Sequence, residues 1–290
     1  MNALVQHIAS LLDDLYDRDE AVGLAWWVAE ETTGLSRTQL QFGDKSTAFS
    51  SNMQEAVERL RHFEPIQYIF GHTEWAGLDL KVTPATLIPR PETAELIEKI
   101  SNFKFQISTA PVRVLDIGTG SGCIAIALKK RHPEWQVCGI DISAEAIEVA
   151  RENARRNQVE VDFHVADILD FNFKFQISNF KYDIVISNPP YIRESEKFSM
   201  KPNVLEHEPD TALFVPDSDP LLFYRRIADL FSFRQRQTTN DQRPLHLFFE
   251  INEAFGQETA DMLRREGYTD IQIHQDSYGK DRFVSSRMAG

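Results

Sequence analysis

From residue 112 onward, the sequence alternates between short apolar runs and segments of helical periodicity. Strands are predicted over residues 112–117, 136–140, 161–165, 182–186 and 245–251, and the longest apolar stretches, such as 182–186 and 245–249, have the length of a strand. Helices are predicted over 123–130, 143–157, 221–230 and 258–265, and two further strands close the chain. This alternation is typical of an α/β fold with a largely parallel sheet and helices on both faces. A ligand is then expected at the carboxyl ends of the strands, near the topological switch point.

The first 75 residues have a different pattern. Apolar side chains such as Leu4, Ile8 and Leu11 recur at spacings of three and four, which predicts a small helical bundle. After Trp75 the period changes to two, because Leu78 alternates with polar neighbours, which indicates a short hairpin. We therefore predict a helical domain over 1–75, a linker or hairpin over 76–88, and an α/β domain over 89–290.

Charge and composition exclude several classes of function. The 31 basic and 44 acidic side chains give a net charge of −13, which argues against binding duplex nucleic acid through many phosphates. Residues 1–75 contain five basic and twelve acidic side chains, which form either a solvated helical surface or a docking face for a basic partner. Two cysteines, no apolar stretch of about 20 residues and no secretion signal predict a soluble, cytoplasmic protein without membrane association.

A glycine-rich turn, DIGTGSG at residues 116–122, follows the first strand of the α/β domain. Its glycines allow a sharp turn and a close approach to a ligand, and the next helix offers free N–H groups. The spacing is G-x-G-x-G instead of G-x-G-x-x-G. Asp116, just before the turn, is unfavourable for a pyrophosphate and favourable for an ammonium group. The motif therefore favours a ligand with an amino-acid end over a dinucleotide.

Aspartates also follow the next two predicted strands. Asp141 lies 25 residues after Asp116, where nucleoside sites place the acid that binds ribose hydroxyls. Asp167 follows the third strand, where its carboxylate can accept a hydrogen bond from an adenine amino group. The ligand that these three acids describe has an amino acid, a ribose and an adenine, and S-adenosylmethionine has all three.

The motif Asn188-Pro189-Pro190-Tyr191 comes directly after the apolar run at 182–186. A turn that ends the strand is one explanation. The two prolines also remove N–H donors and leave rigid carbonyl acceptors, which with the Asn188 side-chain oxygen can accept both hydrogens of a planar NH2 group. The Tyr191 ring is predicted to stack on that group. Held in this way, the nitrogen can direct its lone pair at a sulfonium methyl, so catalysis needs orientation and hydrogen bonds without a strong base.

Residues 116–122 together with 188–191 resemble class I amino-methyltransferases. Other segments carry a resemblance to a narrower family. They are LIPRPET at 87–93, PIQYIFG at 65–71, EHEP at 206–209 with Ala212 and Leu213, and FEI at 249–251 with Gly256 and Gln257. They resemble the protein-(glutamine-N5) methyltransferases that act on bacterial peptide chain release factors, the PrmC/HemK family. The resemblance covers nearly the whole chain.

The resemblance implies a Rossmann-like class I S-adenosylmethionine-dependent methyltransferase fold, with a mostly parallel seven-stranded sheet and a small N-terminal all-α domain that helps to hold a protein substrate. It implies methyl transfer from S-adenosyl-L-methionine to N5 of the glutamine in the Gly-Gly-Gln motif of class 1 release factors, with S-adenosyl-L-homocysteine as product. By matching position, the cofactor residues are Asp116, Gly118, Thr119, Gly120, Ser121, Gly122, Asp141, Asp167, Ile168 and Asn188. The catalytic and substrate-binding residues are Asn188, Pro189, Pro190 and Tyr191. A monomer without stable nucleic-acid binding is expected.

Two other functions stay open. An amino-methyltransferase for a nucleic-acid base, at adenine N6 or guanine N2, would share the Asn-Pro-Pro-Tyr chemistry but needs a basic recognition region that the sequence does not offer. A noncatalytic adapter would keep a nucleoside pocket with damaged donor-aligning residues. The histidines are scattered, so no metal site is predicted. The heptapeptide NFKFQIS at 102–108 and again at 172–178, and the polar stretch at 234–243, are interpreted as surface insertions without a catalytic role.

Overall fold

The structure is a computed structural model that describes residues 2–42, 48–103, 111–170, 182–237 and 244–288. Contacts divide the chain into two compact units. The first consists of Met1–Gly71 with Lys201–His207, and the second of His72–Met200 with Glu208–Gly290. The first unit thus takes a short segment from the middle of the chain, which the sequence pattern places in the α/β domain.

The first unit is helical within its described residues. Its helices are α1 Ala3–Ser10, α2 Arg18–Thr33, α3 Arg37–Phe42, α4 Ser51–Arg61, α5 Ile66–Phe70 and, later in the chain, α9 Pro202–Leu205. Polar side chains begin three of them: Asn2 accepts the Leu4 N–H at 2.7 Å, Asp17 the Glu20 N–H at 2.9 Å, and Ser50 the Met53 N–H at 3.3 Å. The apolar faces of these helices form one core around Ile8, Val28 and Leu60.

The second unit contains the strands that the alternation predicts. Its elements are β1 His72–Trp75, β2 Leu78–Lys81, α6 Pro91–Asn102, β3 Arg113–Ile117, α7 Cys123–Arg131, β4 Gln136–Asp141, α8 Ala144–Arg156, β5 Asp162–Val165, β6 Ile184–Ser187, β7 Ile192–Arg193, β8 Phe214–Val215, α10 Leu222–Gln237, β9 Leu245–Glu250, α11 Gly256–Arg265, β10 Thr269–Gln275 and β11 Asp281–Met288. Pro91 occupies the first turn of α6, where its missing N–H leaves no helical hydrogen bond unmade.

Seven strands form the central sheet in the order β10-β11-β9-β6-β3-β4-β5. Neighbours from β9 to β5 are parallel, and β11 is antiparallel to both β9 and β10. The predicted fold class is therefore confirmed. Because the chain moves from β3 to β4 on one side and returns to β6 on the other, the switch point lies beside β3.

The two faces of the sheet bury different helices, because strand residues alternate between the faces. Along β6, Ile184 and Ile186 pack with α6, α7 and α8, whereas Val185 packs with α10 and α11. The β1–β2 hairpin, which the sequence suggests as a linker, contributes Trp75 and Leu80 to the first of these cores. Burial of each such side chain is worth about 2 kcal/mol, so both faces stabilise the sheet.

Helix α10 extends to Gln237, beyond the predicted end at 230, so the first part of the polar stretch is helical and residues 238–243 lie outside the described residues. The second NFKFQIS copy, and all but Asn102 and Phe103 of the first, also lie outside them. Among the described helices, none combines the length and the apolar character that a membrane crossing requires.

Candidate active site

A cavity of about 370 Å³ lies at the carboxyl ends of β3, β4, β5 and β6. Segments that follow these four strands line it, and residues 85–93 and helix α10 supply other parts of its wall. Its position is the one that the switch point predicts. Ten of the predicted site residues line this single cavity: Gly118, Thr119, Gly120, Ser121, Asp141, Asp167, Ile168, Asn188, Pro189 and Pro190.

The glycine turn connects β3 to helix α7 and is hydrogen-bonded to the end of β4. The N–H groups of Gly118 and Thr119 both donate to the Ile140 carbonyl at 2.9 Å, and the Gly120 N–H donates to Asp141 Oδ2 at 2.8 Å. Gly118 and Gly120 have φ values of +70° and +54°, which residues with a Cβ adopt at an energetic cost. The turn therefore needs glycine to bring its backbone to the cavity wall.

Asp141 connects this turn to the next helix. Its second oxygen, Oδ1, accepts the Ser143 N–H at 2.9 Å, and burial raises the pKa of its carboxyl group against the lowering effect of these backbone N–H groups. A carboxylate has about four acceptor positions, so Asp141 keeps acceptor capacity for a ligand with hydroxyl groups. Asp167 accepts the Leu169 N–H at 2.8 Å through Oδ1 and also lines the cavity.

Three predicted site residues, Asp116, Gly122 and Tyr191, do not line the cavity. Asp116 is 1% exposed and accepts a hydrogen bond from the Thr119 hydroxyl at 2.6 Å; burial raises its pKa to about 7. Gly122 begins helix α7, and a Cβ there would lie 3.0 Å from Ala150 Cβ. The predicted contact of Asp116 with an ammonium group therefore stays a prediction. What the structure shows is that Asp116 is hydrogen-bonded to the turn and that Gly122 allows helix α8 to pack closely against it.

The Asn-Pro-Pro-Tyr segment leaves β6 at the switch point. Ser187, at the end of β6, donates to the Ile117 carbonyl at 2.7 Å and fixes the segment to β3. Asn188 Nδ2 donates to Thr93 Oγ1 at 3.4 Å. In the described part of the chain, no hydrogen bond uses the backbone carbonyls of residues 188–190. These carbonyls and Asn188 Oδ1 are therefore available acceptors at the cavity.

Tyr191 is the last residue of this segment. Its ring packs against the core that contains α10 and α11, and its hydroxyl donates to Glu250 Oε1 at 3.4 Å. Burial raises its pKa further above the usual range. Tyr191 is not among the residues that line the cavity, and its predicted stacking on the substrate stays a prediction.

Sequence reasoning assigned no individual role to several residues at this site. Thr93 on helix α6 and Arg90, directly before this helix, line the cavity. Both carboxylate oxygens of Glu208 accept hydrogen bonds from Arg90 Nη2 at 2.8 Å. Ile142 lines the cavity although its side chain is 58% exposed, which suits a flat apolar ligand group. Arg90, Thr93 and Glu208 lie in segments that carry the family resemblance, which was the available signal; Ile142 had none.

Gly139→Ala tests how tightly the turn packs. An added Cβ on β4 would lie 2.6 Å from Phe163 Cε1 and 2.8 Å from Thr119 Oγ1, so β5 or the turn must move. We expect a loss of about 1–3 kcal/mol in the free energy of unfolding, measured by chemical denaturation. Gly23→Ala is the matched control, because its Cβ meets nothing within 4 Å in helix α2. That change should stabilise by about 0.5–1 kcal/mol, and equal effects of the two substitutions would contradict this packing.

The seven-stranded sheet, with its cavity between a glycine turn, a strand-end acid and an Asn-Pro-Pro-Tyr segment, defines a class I S-adenosylmethionine-dependent methyltransferase. Family models agree with this: a methyltransferase small domain matches residues 96–208, and a PrmC N-terminal domain matches residues 3–71. The chain is similar to the solved hMettl16 catalytic domain in complex with a MAT2A 3′UTR hairpin, with a TM-score of 0.51 and 15% identity over 83% of this chain and 81% of that one. At that identity the likeness concerns the fold alone.

Curated relatives define the family. The chain is 40% identical to a release factor glutamine methyltransferase of Bacteroides thetaiotaomicron, over 99% of both chains. It is 38% identical to a protein of the same name from Lactococcus lactis, over 97% of this chain and 98% of the relative. The chain belongs to the release factor glutamine methyltransferase family, and the predicted resemblance is confirmed.

Proposed function

We propose that this enzyme transfers a methyl group from S-adenosylmethionine to the side-chain amide nitrogen of the glutamine in the Gly-Gly-Gln motif of class 1 release factors. The observation that carries the proposal is the free acceptor set at the cavity: Asn188 Oδ1 and the carbonyls of residues 188–190. An acceptor set of this kind fits a primary amide, which has two N–H donors on one nitrogen.

The residues of the cavity fit the methyl donor. Its volume of about 370 Å³ is in the range of small-ligand sites. Asp141 has acceptor positions for ribose hydroxyls, Asp167 has one for an adenine amino group, and Ile142 and Ile168 offer apolar surface to the adenine ring. The bound donor supplies an electrophilic methyl group on a sulfonium.

The chain's own contribution to the reaction is orientation. An amide nitrogen is a weak nucleophile because its lone pair is delocalised into the carbonyl group. When Asn188 Oδ1 and a rigid carbonyl of the following prolines accept both of its hydrogens, the nitrogen is held in one place with its lone pair directed at the methyl group. Such fixed acceptors also stabilise the positive charge that develops on the nitrogen.

No side chain at the cavity has to act as a strong base. The nitrogen loses its proton readily only once it is methylated, and the carbonyl acceptors or water can then receive it. The buried carboxyl groups of Asp116 and Glu250 do not line the cavity, so their raised pKa values, about 7 in each case, do not indicate direct proton transfer from the substrate.

The first unit offers an acidic surface that fits a basic substrate. Asp13, Asp14 and Glu58 line a groove there. Asp14 is bound to Arg61 at 2.7 Å, which lowers the pKa of Asp14, and Asp17 caps helix α2, so these two acids also hold the unit together. Asp13 in the groove, and Glu55 on helix α4 outside the groove lining, are exposed and carry no such contact among the described residues.

Charge reversal of these exposed acids tests the docking role. The double substitution of Asp13 and Glu55 by lysine should raise KM for the release factor about 10-fold at low salt, because two attractive charges become repulsive, with less effect at high salt. Glu160→Lys, at an exposed position in the second unit, is the matched control. A KM that is insensitive to both the double reversal and ionic strength would refute electrostatic docking.

A labelled methyl donor tests the proposed reaction. The enzyme is incubated with release factor or with RNA and DNA, and the label is located by tandem mass spectrometry. We expect one methyl group on the amide nitrogen of the Gly-Gly-Gln glutamine. Label in RNA or DNA would support the base methyltransferase, and label nowhere would support the adapter. The proposal includes a cytoplasmic location, because release factors act on the ribosome.

A further inference from the structure

A buried carboxyl group lies behind the Asn-Pro-Pro-Tyr segment. Glu250 ends strand β9 and is 1% exposed. Its Oε2 accepts a hydrogen bond from Thr93 Oγ1 at 2.7 Å, and its Oε1 accepts one from the Tyr191 hydroxyl at 3.4 Å. Glu250 therefore joins helix α6 to the residue that ends the catalytic motif without lining the cavity itself.

Thr93 is also hydrogen-bonded to Asn188, so it connects Asn188 to Glu250. A hydroxyl has one hydrogen to donate, and in Thr93 that hydrogen goes to Glu250, because an ionised carboxylate can only accept. The Thr93 oxygen is then an acceptor for any further neighbour, and Asn188 Nδ2 donates to it at 3.4 Å. The donor and acceptor roles thus run in one direction, from Asn188 through Thr93 to Glu250.

We propose, building on the function proposed above, that Thr93 and Glu250 are positioning residues that keep the Asn188 carboxamide oxygen turned toward the acceptor glutamine. The nitrogen and oxygen of a carboxamide are nearly the same size, so packing alone does not choose between its two orientations. In the reverse orientation Asn188 presents an NH2 group to the substrate NH2 group, and one of the acceptors that align the nucleophile is lost. The hydrogen-bond relay makes that choice.

The protonation state of Glu250 decides the direction of the relay. Burial raises its pKa to about 7, although Thr93, Arg282 and Tyr191 lower it; Glu92 raises it further. The charged and titratable groups that face it are Glu92 on α6, Arg282 on β11, Cys123 on α7, Tyr191, and Tyr224 on α10, whose hydroxyl donates to the Glu250 carbonyl at 3.0 Å. Once protonated, Glu250 can donate to Thr93, and the Thr93 hydroxyl can donate to Asn188 Oδ1. We therefore expect kcat to fall as the pH falls below about 7.

Three threonine variants test the relay. Thr93→Val keeps the shape but removes the hydroxyl, and it should lower kcat about 10- to 100-fold, while the affinity for S-adenosylhomocysteine changes little. Thr93→Ser restores the hydroxyl and should restore most of kcat. Thr259→Val is the matched control, since Thr259 is fully buried on α11 and its hydroxyl has no partner among the described residues. Equal kcat values for Thr93→Val and Thr259→Val, with both variants folded, would overturn the proposal.

A pH titration gives a second test that does not depend on the substrate. The side-chain NH2 signals of Asn188 are identified in an NMR spectrum by their absence from Asn188→Ala. In the parental protein they should shift with a midpoint near pH 7, and in Glu250→Gln they should not shift in that range. The same midpoint in both proteins would overturn the relay even if Thr93→Val did not fold. Failure of the proposed function can be told apart from failure of the relay. In the first case the parental enzyme does not methylate a release factor, whereas the titration still reports on the relay.

Discussion

Asn188→Ala is expected to lower kcat for methyl transfer by about 100- to 1,000-fold, the usual consequence of removing one fixed hydrogen-bond partner of a reacting group. Asn188 supplies the only side-chain oxygen among the acceptors of the Asn-Pro-Pro-Tyr segment that line the cavity. Without it, the amide nitrogen keeps one hydrogen free, and its lone pair is no longer aimed. The measurement is single-turnover methylation of the release factor at saturating methyl donor.

Binding must be separated from chemistry in this experiment. Calorimetry with S-adenosylhomocysteine should show less than about a 10-fold change in Kd, because most of the cavity wall is intact. Asn157→Ala is the matched control: this asparagine ends helix α8, donates to the Asp79 carbonyl at 2.8 Å and does not line the cavity. It should retain parental kcat. A parental rate in Asn188→Ala would mean that another group aligns the amide.

Asp141→Ala is expected to raise Kd for S-adenosylhomocysteine by about 10- to 100-fold, since hydrogen bonds to a carboxylate contribute about 1.5–3 kcal/mol. The carboxylate accepts the N–H groups of Gly120 and Ser143, so its removal loosens the glycine turn as well as the ribose position. At saturating donor, kcat should fall much less than kcat/KM for the donor. Isothermal titration calorimetry and steady-state kinetics measure the two effects.

The control for this substitution is Asp162→Ala. Asp162 is an exposed aspartate at the start of the neighbouring strand β5, at the end of the sheet opposite to the cavity. Asp162→Ala should leave the Kd for S-adenosylhomocysteine within about 2-fold of the parental value, because surface substitutions away from a core or a binding site usually have small effects. Equal Kd values for Asp141→Ala and the parental enzyme would show that Asp141 does not contact the cofactor product.

The alternation of the sequence was sufficient to predict the sheet. Buried parallel strands tend to be apolar runs, so β3, β4, β6 and β9 were visible within one or two residues of their observed ends. The mostly exposed β5 was predicted as closely, from its place in the alternation. The end of α10 was not visible, because polar residues such as Arg234 continue a helix as readily as they form a loop. Lys201–His207 belongs to the first unit because of its tertiary contacts, and the sequence has no local signal for such contacts.

The sequence predicted those site residues that lie at the carboxyl ends of strands. Asp141 ends β4, and Asp167 and Asn188 follow β5 and β6; parallel strands bring such residues to one edge of the sheet. Asp116 was assigned to the cavity on the same ground, but it lies within β3 and faces the side of the sheet that carries Val114, beneath the turn. The alternation of residues along β3 predicts that Asp116 shares a face with Val114. The prediction from the glycine motif placed it at the ligand instead.

The contacts behind the cavity were beyond local reasoning. Thr93 and Glu250 are 157 residues apart in the chain, and Arg90 and Glu208 are 118 apart. No spacing rule for helices or strands connects such positions, since only the tertiary fold brings α6 next to the end of β9. The contact of Tyr191 with Glu250 was not visible for the same reason, because Glu250 is supplied by a distant strand.

The most direct test of the account is a crystal structure of the enzyme with S-adenosylhomocysteine and a peptide that contains Gly-Gly-Gln. We expect the glutamine side-chain nitrogen to lie about 3 Å from both Asn188 Oδ1 and a backbone carbonyl of residues 188–190, facing the sulfur atom. A glutamine nitrogen that lies at the cavity with Asn188 Nδ2 toward it, or that is held by other residues, would contradict the claim that these rigid acceptors align the nucleophile.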